Sequence, residues 1–256
     1  MTSRTQDSTL SGFMVCAASF LIACASVASA DDQTSSTVER RFKLSIGGYF
    51  YSDPDGHYTG EDINLRYRRN DTSLWIGQYH DRSFGSQTRA GADTSWNPVK
   101  DLDLSIQPSL QMATQGFIGG SLNFQYGTPW FVVVGIGRTN LRPYQNLNFD
   151  PNDAVTAGIG HRSENGNTFS VTTIKDDRLH TGQRHTHALV QLALPRGQRL
   201  TLDLLRKSGM GDSGMVHAWG ESVTYDFPSW FIRAVHDPKQ SFGTADAARI
   251  TIGLRF

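Results

Sequence analysis

Cysteine is scarce in this sequence, and the scarcity limits the chemistry that the chain can carry. The 256 residues include two cysteines, Cys16 and Cys24, and both precede residue 31. Cleavage after Ala30 would therefore leave a mature chain without cysteine. Such a chain has neither a disulfide framework nor a cysteine-based metal site.

An excess of charge and long apolar runs are also lacking. Lysine and arginine together number 24, as do aspartate and glutamate, so the formal net charge is zero. This balance argues against a nucleic-acid partner. Beyond residue 30, no stretch approaches the roughly 18 consecutive apolar residues of a membrane helix. If the mature chain enters a membrane, it must do so as β-strands.

The N-terminal segment has the composition of a secretion signal. Arg4 precedes an uncharged apolar stretch at 13–23, which is too short for a spanning helix. The triplet Ala28-Ser29-Ala30 fits an ordinary signal peptidase and predicts a signal peptide over residues 1–30. The string Leu21-Ile22-Ala23-Cys24 resembles the lipobox of bacterial lipoproteins. The alternative is therefore a lipoprotein signal cleaved before Cys24.

The last nine residues form the clearest strand pattern. Apolar side chains occupy every second position: Ala248, Ile250, Ile252, Leu254 and Phe256. Polar residues or glycine lie between them, so the pattern predicts a strand with lipid on one face and a polar lumen on the other. The terminal Phe256 resembles the C-terminal signature of bacterial outer-membrane barrels. It predicts the barrel-assembly machinery as a partner, and the apolar face of the strand predicts contact with outer-membrane lipids.

The same alternation recurs upstream and is divided by turns. Short turns rich in glycine, asparagine and proline occur at 70–71, 97–98, 127–128, 164–167, 195–197 and 227–228. Polar connections predicted to be longer lie between them, at 52–60, 81–87, 140–152, 175–183, 207–214 and 236–245, with a short one near 114–116. Short inner turns that alternate with longer outer connections are typical of outer-membrane barrels.

These patterns predict an all-β fold, a single antiparallel transmembrane β-barrel of about fourteen strands over residues 41–256. Twelve strands are the alternative, because the segment 88–96 is weakly apolar. Residues 31–40 are predicted to form a short periplasmic lead-in. The predicted location is the bacterial outer membrane.

Aromatic residues support this prediction, since their rings favour the membrane interface. Those near the inner turns predict an inner girdle: Trp96, Tyr126, Trp130, Tyr225, Phe227, Trp230 and Phe256. Those near the outer connections predict an outer rim: Phe50, Tyr51, Tyr58 and Tyr79.

The overall build resembles the YaiO-like outer-membrane barrels, which are small single-barrel proteins. The resemblance rests on the run Ile46-Gly47-Gly48-Tyr49-Phe50, the stretch 78–84 and the ending Arg255-Phe256. It implies a barrel that follows the leader directly, and it transfers no site residues.

One string suggests catalysis, His161-Arg162-Ser163-Glu164-Asn165-Gly166. It resembles the His-x-Ser-Asn-Gly string of the outer-membrane phospholipase A family and the His-x-Ser string of outer-membrane lipid A deacylases. Residues two apart on a strand share a face, so His161 and Ser163 are the candidate catalytic pair of a lipid-modifying hydrolase. However, Glu164 interrupts the spacing, the string lies at an inner turn, and no third member of a triad is assigned. The alternative is an Asn-Gly hairpin turn.

The polar face of the strands predicts the lining of the lumen. The residues expected there are Asp62, Arg66, Asp103, Gln107, Asn123, His185, His187, Arg199, Asp203, Arg249 and Arg255. Because both signs of charge are present, two interpretations stay open. The lumen is either a narrow porin-like path for small hydrophilic solutes with little charge selectivity, or a structural barrel filled by ion pairs.

The three histidines around 180–187 suggest a metal site, but no carboxylate partner is evident in the sequence. Neither a metal site nor a cofactor is therefore predicted.

The two processing sites predict different mature proteins. We expect the mature chain to begin at Asp31 and the Cys24→Ala variant to be processed as the wild type is. Intact mass measurement of both purified proteins checks this. A lipoprotein mass shift in the wild type that the variant lacks would favour cleavage before Cys24.

Overall fold

The fold is a closed antiparallel barrel. The structure is a computed structural model that describes residues 40–99, 101–147 and 153–256. The strands within these residues are β1 Phe42–Asp53, β2 Gly56–Arg69, β3 Thr72–Asp81, β4 Gly85–Thr94, β5 Leu104–Ala113, β6 Phe117–Tyr126, β7 Trp130–Thr139, β8 Ala154–Arg162, β9 Thr168–Asp176, β10 Arg184–Leu194, β11 Gln198–Gly211, β12 Gly214–Asp226, β13 Trp230–Asp237 and β14 Asp246–Arg255. The predicted signal peptide and residues 31–39 of the predicted lead-in lie outside the described residues.

Pairing of β1 with β14 closes the sheet. The register runs from Lys43 opposite Arg255 to Ser52 opposite Asp246. At one end, Phe42 N donates to Phe256 O at 2.8 Å, and Phe256 N donates to Phe42 O at 2.9 Å. We call this the inner end of the barrel. Closure leaves no open sheet edge, as hydrocarbon requires.

Fourteen strands, rather than twelve, form the barrel in the described residues. The weakly apolar segment that left the number open forms most of β4, which pairs with β3 on one side and with β5 on the other. The alternation along β4 contains few apolar residues, because its outward positions carry small or polar side chains such as Ser86, Thr88 and Ala90. The predicted all-β, single-barrel fold is confirmed.

Apolar side chains cover the outward face of the strands and are exposed. Examples from both halves of the sheet are Ile46, Leu74, Ile76, Val134, Ile159, Ile250 and Ile252. Near the inner turns, five of the seven rings predicted for the girdle are exposed: Trp96, Tyr126, Trp130, Trp230 and Phe256. Tyr225 and Phe227 are half-buried, and Phe227 lines the lumen. A continuous apolar surface rimmed by aromatic rings fits lipid rather than water.

The predicted outer rim is wrong for two of its tyrosines. Tyr51 and Tyr79 are buried inside the barrel, and their hydroxyl oxygens lie 2.8 Å apart. Tyr58 stacks on Tyr51 with ring centroids 4.7 Å apart. Phe50 does face outward. The reason is strand alternation, because neighbours on β1 point to opposite faces.

Three of the predicted outer loops are short turns instead, and one of them, residues 82–84, joins β3 to β4. Only residues 54–55 join β1 to β2, and only residues 212–213 join β11 to β12. The next residues, Gly56 and Gly214, have φ of 132° and 123°, a conformation that glycine tolerates best. The strands therefore extend through the segments predicted to be loops. Long outer connections remain at 140–153, 177–183 and 238–245.

Among the residues that the structure describes, helical structure is confined to single 3₁₀ turns at Thr114–Gly116, Pro195–Gly197 and Gln240–Phe242. Within the described ranges, none of the helices has the length and apolar character to cross a membrane.

The outward apolar band predicts how the fold responds to a buried charge. Ile252 on β14 is exposed and pairs with Ile46 and Ile232. We expect Ile252→Arg to lower the free energy of unfolding by about 2–4 kcal/mol, because it places a cation in hydrocarbon. Urea unfolding in phospholipid vesicles measures this, with Ile252→Leu as the matched control. Equal stability of both variants would contradict a lipid-facing position.

Candidate functional site

The inner half of the lumen contains a large cavity. Its volume is about 790 Å³, and it extends from the inner turns at Gly197 and Pro228 to the level of Arg249 on β14. Strands β1–β6 and β10–β14 line it. Since alternate residues of each strand point inward, the cavity wall collects the polar face of most of the sheet.

Seven of the predicted lumen residues line this cavity: Asp62, Arg66, Gln107, Asn123, Arg199, Arg249 and Arg255. His185, His187 and Asp203 point inward nearer the outer end. Asp103 does not line the cavity, because it is exposed in the connection just before β5. The alternation of polar and apolar residues begins before β5 does, so it does not mark the start of the strand.

Both signs of charge are present among the described residues of the cavity wall. The basic residues are Arg40, Arg41, Lys43, Arg66, Arg68, Arg89, Arg199, Arg233, Arg249 and Arg255, and the acidic residues are Asp62, Asp71, Asp93 and Asp226. The wall is therefore charged as well as polar, and arginine is its most frequent charged residue among those described.

Three of the four aspartates are paired with arginines. Arg66 lies 3.2 Å from Asp93, and Arg89 lies 3.5 Å from Asp62 in a nearly buried pair. Arg255 likewise contacts Asp226 across β14 and the end of β12. An ionised carboxylate away from bulk water needs such a partner.

Aromatic rings hold several of these cations. Lys43 Nζ lies 4.2 Å from the ring centroid of Phe231, and the Arg255 guanidinium lies 5.3 Å from the same ring. Arg89 lies 5.8 Å from the ring of Trp75. An aromatic face attracts a cation, so these rings help to hold the three side chains against the wall.

The described part of the outer connection that follows β7, residues 140–147, folds into the lumen. In its described part, Tyr144, Asn146 and Leu147 are all buried. The ring of Tyr144 stacks on Phe117 of β6 at 4.1 Å, and its hydroxyl donates to Gln111 Oε1 of β5 at 3.4 Å. Burial raises the pKa of the Tyr144 phenol, which keeps it neutral and able to donate.

Hydrogen bonds tie the backbone of this connection to distant strands. Gln87 Nε2 of β4 donates to Gln145 O at 2.9 Å, and Gln145 N donates back to Gln87 Oε1 at 2.9 Å. On β14, Arg249 donates to Leu147 O at 2.8 Å. Because β14 lies seven strands from β7 in a ring of fourteen, the connection crosses the lumen.

A second outer connection, 238–245, packs beside the first. Phe242 is buried and stacks on His185 at 5.1 Å. Gln240 Nε2 donates to Asn146 O at 3.5 Å and so joins the two connections. We call residues 144–147 and 240–242 the outer plug. The sequence offered one signal for it, since Tyr144, Leu147 and Phe242 are bulky residues in otherwise polar connections.

The predicted inward-facing histidines belong to the packed outer half. His187 lies 2.9 Å from Asp203, and His185 is fully buried. Close to them, Lys207 Nζ lies 2.5 Å from Asp237 Oδ1, and both side chains are buried. His180 is exposed in the connection 177–183. In the part of the chain that the structure describes, no group of three His, Cys, Asp or Glu residues could hold a metal ion.

The structure does not assemble His161 and Ser163 into a reactive pair. His161 lies beside the outward-facing Trp130, with ring centroids 4.8 Å apart. The Ser163 hydroxyl instead donates within its own turn, to the side chain of Asn165 and to Asn167 O. Gly166 N also donates to Ser163 O at 2.9 Å. This geometry supports the Asn-Gly hairpin turn.

Comparison with known proteins finds similar folds but no matching sequence family. No protein-family model matches the chain, and no curated protein matches it either. The Acinetobacter baumannii outer membrane protein Omp33 aligns with a TM-score of 0.51 and 11% identity, over 85% of this chain and 99% of that one. The NanC porin aligns with a TM-score of 0.46 and 8% identity, over 83% of this chain and 100% of that one. OprD from Pseudomonas aeruginosa gives a TM-score of 0.41 and 10% identity, over 84% and 93% of the two chains.

The closed sheet, the apolar outer band and the likeness to Omp33 define the class of protein. The chain is an outer-membrane β-barrel with a porin-like fold. At the level of this fold class, the predicted location in the bacterial outer membrane is confirmed. The narrower resemblance to YaiO-like barrels stays a prediction.

The hairpin geometry around Ser163 predicts no hydrolytic activity. We expect the wild type and Ser163→Ala to release no more fatty acid from phospholipid vesicles than protein-free vesicles do, because the hydroxyl is engaged by its own turn. A fatty-acid release assay on the refolded proteins measures this. Hydrolysis by the wild type that disappears in Ser163→Ala would restore the catalytic interpretation.

Proposed function

We propose that this barrel is a narrow channel for small hydrophilic solutes. The inner cavity is its vestibule, and the outer plug is its constriction. The observation that carries the proposal is the polar cavity of about 790 Å³, which runs from the inner turns to the connection that crosses the lumen. An interior that only stabilised the barrel would be filled along its length by side chains. Polar residues around a large cavity instead favour water and dissolved solutes.

The way the plug is held supports a constriction that can open. Its described contacts include two ring stacks, Tyr144 on Phe117 and Phe242 on His185, and separate hydrogen bonds with Gln87 and Arg249. A hydrogen bond of this kind contributes about 1 kcal/mol to stability. Displacement of the connection therefore costs far less than unfolding the strands around it.

A structural barrel is the second candidate, and one observation favours it. The outer half of the lumen is densely packed, with Tyr49, Tyr79 and the Lys207–Asp237 pair all buried. If this packing persists at all times, the cavity is a closed vestibule. Under this alternative, solutes would enter from the inner end and go no further.

We also propose that the barrel-assembly machinery recognises the end of β14. Phe256 is exposed at the inner end, and its ring stacks on Phe42 at 5.7 Å. The terminal ring thus lies at the seam where the sheet closes. The outer-membrane lipids that we propose as partners would contact the outward apolar band.

Conductance in planar bilayers tests the channel. We expect discrete openings from the wild type and larger or more frequent openings from Gln87→Ala, because that variant loses both hydrogen bonds to Gln145. The matched control is Gln78→Ala, since Gln78 is exposed on the outward face of the neighbouring strand and contacts Thr88 instead.

The outcomes separate the two candidates, provided that heat modifiability shows every protein to be folded. Silent bilayers from the wild type and from Gln87→Ala would favour the structural barrel. Openings that are equal in wild type and Gln87→Ala would contradict the plug as the constriction.

A further inference from the structure

We infer that the outward face of β9–β12 binds the phosphate group of a membrane lipid near the outer end of the barrel. This binding depends on the location in the outer membrane and not on the proposed channel. Three basic side chains are central to it, Lys175, Arg184 and Arg206, and all three are exposed. Neighbours on a strand point to opposite faces. The next residue along each strand is buried in the lumen: Asp176, His185 and Lys207.

The register of β9–β12 gathers these side chains into two polar rows. The first row crosses the four strands through Lys175, Arg184, Ser208 and His217. The second row lies two residues nearer the inner end and consists of Thr173, Thr186, Arg206 and Trp219. Directly opposite residues have Cβ atoms about 4.5–5.5 Å apart, so the two rows form one compact surface. We call these eight residues the basic patch.

Apolar residues occupy the outward face on the inner side of the basic patch. They are Phe169, Val171, Ala188, Val190, Leu202, Leu204 and Val223, and all except the half-buried Val190 are exposed. The basic patch therefore lies at the outer boundary of the band that faces lipid tails, which is where lipid headgroups lie. The exposed Trp219 supports this level, because indole rings favour the membrane interface.

The arrangement of charge favours a bound anion. Lys175 and Arg184 lie directly opposite each other, and like charges in that position destabilise a strand pair. Among the described residues, no ion pair involves Lys175, Arg184 or Arg206. Two carboxylates border the basic patch, and both have other partners. Asp177 lies 2.7 Å from Arg138, and Glu221 lies 3.0 Å from His236. An anion between Lys175 and Arg184 would remove their repulsion.

The side chains of the basic patch fit a phosphate group. A guanidinium donates two parallel hydrogen bonds to phosphate oxygens, and lysine adds a point charge. The Arg206 guanidinium lies 5.6 Å from the ring of Trp219, which holds it at the membrane interface. Clusters of lysine and arginine at a membrane surface attract anionic headgroups. A lipid fits this surface better than free phosphate, because its acyl chains would cover the apolar residues beside the basic patch.

Lipid retention in a neutral detergent tests the site. Native mass spectrometry compares phosphatidic acid with diacylglycerol of the same acyl chains, since the two differ only in the phosphate group. We expect the wild type to bind phosphatidic acid severalfold more than diacylglycerol. The double variant Lys175→Gln, Arg184→Gln should lose most of this preference. The matched control, Arg82→Gln with Arg142→Gln, removes two exposed cations from other outer connections and should keep the wild-type ratio.

Tryptophan quenching tests the site in a bilayer. Trp219 belongs to the basic patch, so its emission is the difference between the wild type and Trp219→Phe. In phosphatidylcholine vesicles, we expect brominated phosphatidic acid to quench this emission more than the same fraction of brominated phosphatidylcholine does. The additional quenching should disappear in Lys175→Gln, Arg184→Gln.

The outcomes are decisive once heat modifiability shows every variant to be folded. Equal binding of phosphatidic acid and diacylglycerol by the wild type would overturn the site, as would a wild-type ratio in the double variant Lys175→Gln, Arg184→Gln. Displacement of phosphatidic acid by an equal concentration of inorganic phosphate would indicate a site for the free ion and overturn its assignment to a lipid. None of these measurements uses conductance, so failure of the lipid site and failure of the channel are distinguishable.

Discussion

Closure of the backbone hydrogen-bond ladder between β1 and β14 is the constraint on which the remaining structure depends. Each backbone group left unpaired in hydrocarbon costs several kcal/mol, so a sheet with free edges cannot persist in a bilayer. Pairing from Lys43–Arg255 to Ser52–Asp246 removes both edges at once. Once the sheet is closed, every strand has one face toward lipid and one toward the lumen. The alternation of apolar and polar residues along each strand then places the apolar side chains in lipid and the polar side chains in the lumen.

The polar, inward-facing side chains have different surroundings in the two halves of the lumen. In the outer half, two connections fold inward, and charged groups are buried as close pairs such as Lys207 with Asp237. In the inner half, the described residues surround a cavity that has room for water and solutes. Aromatic faces stabilise cations there, as Phe231 does for Lys43. The difference between the halves thus follows from the length of the outer connections.

Local sequence patterns predicted much of the fold and part of the site. Alternation along β14 placed Arg249 and Arg255 in the lumen, and the same pattern would have placed Arg233 there. The turn at 70–71 and the tryptophans beside other inner turns fixed which end of the barrel is which. The outer rim was less predictable, because Tyr51 and Tyr79 were assigned by their position along the strand rather than by the face they occupy.

The strands, their order and their two faces can be predicted from local sequence, because a period of two is a property of each segment alone. The set of side chains around the cavity and the position of the plug depend instead on contacts between distant segments. The cavity brings together Lys43, Arg89 and Arg233 from strands far apart in the chain, so no local pattern predicts that these side chains line one space. The path of residues 144–147 likewise depends on Phe117, Gln87 and Arg249, whose positions are fixed only when the barrel closes.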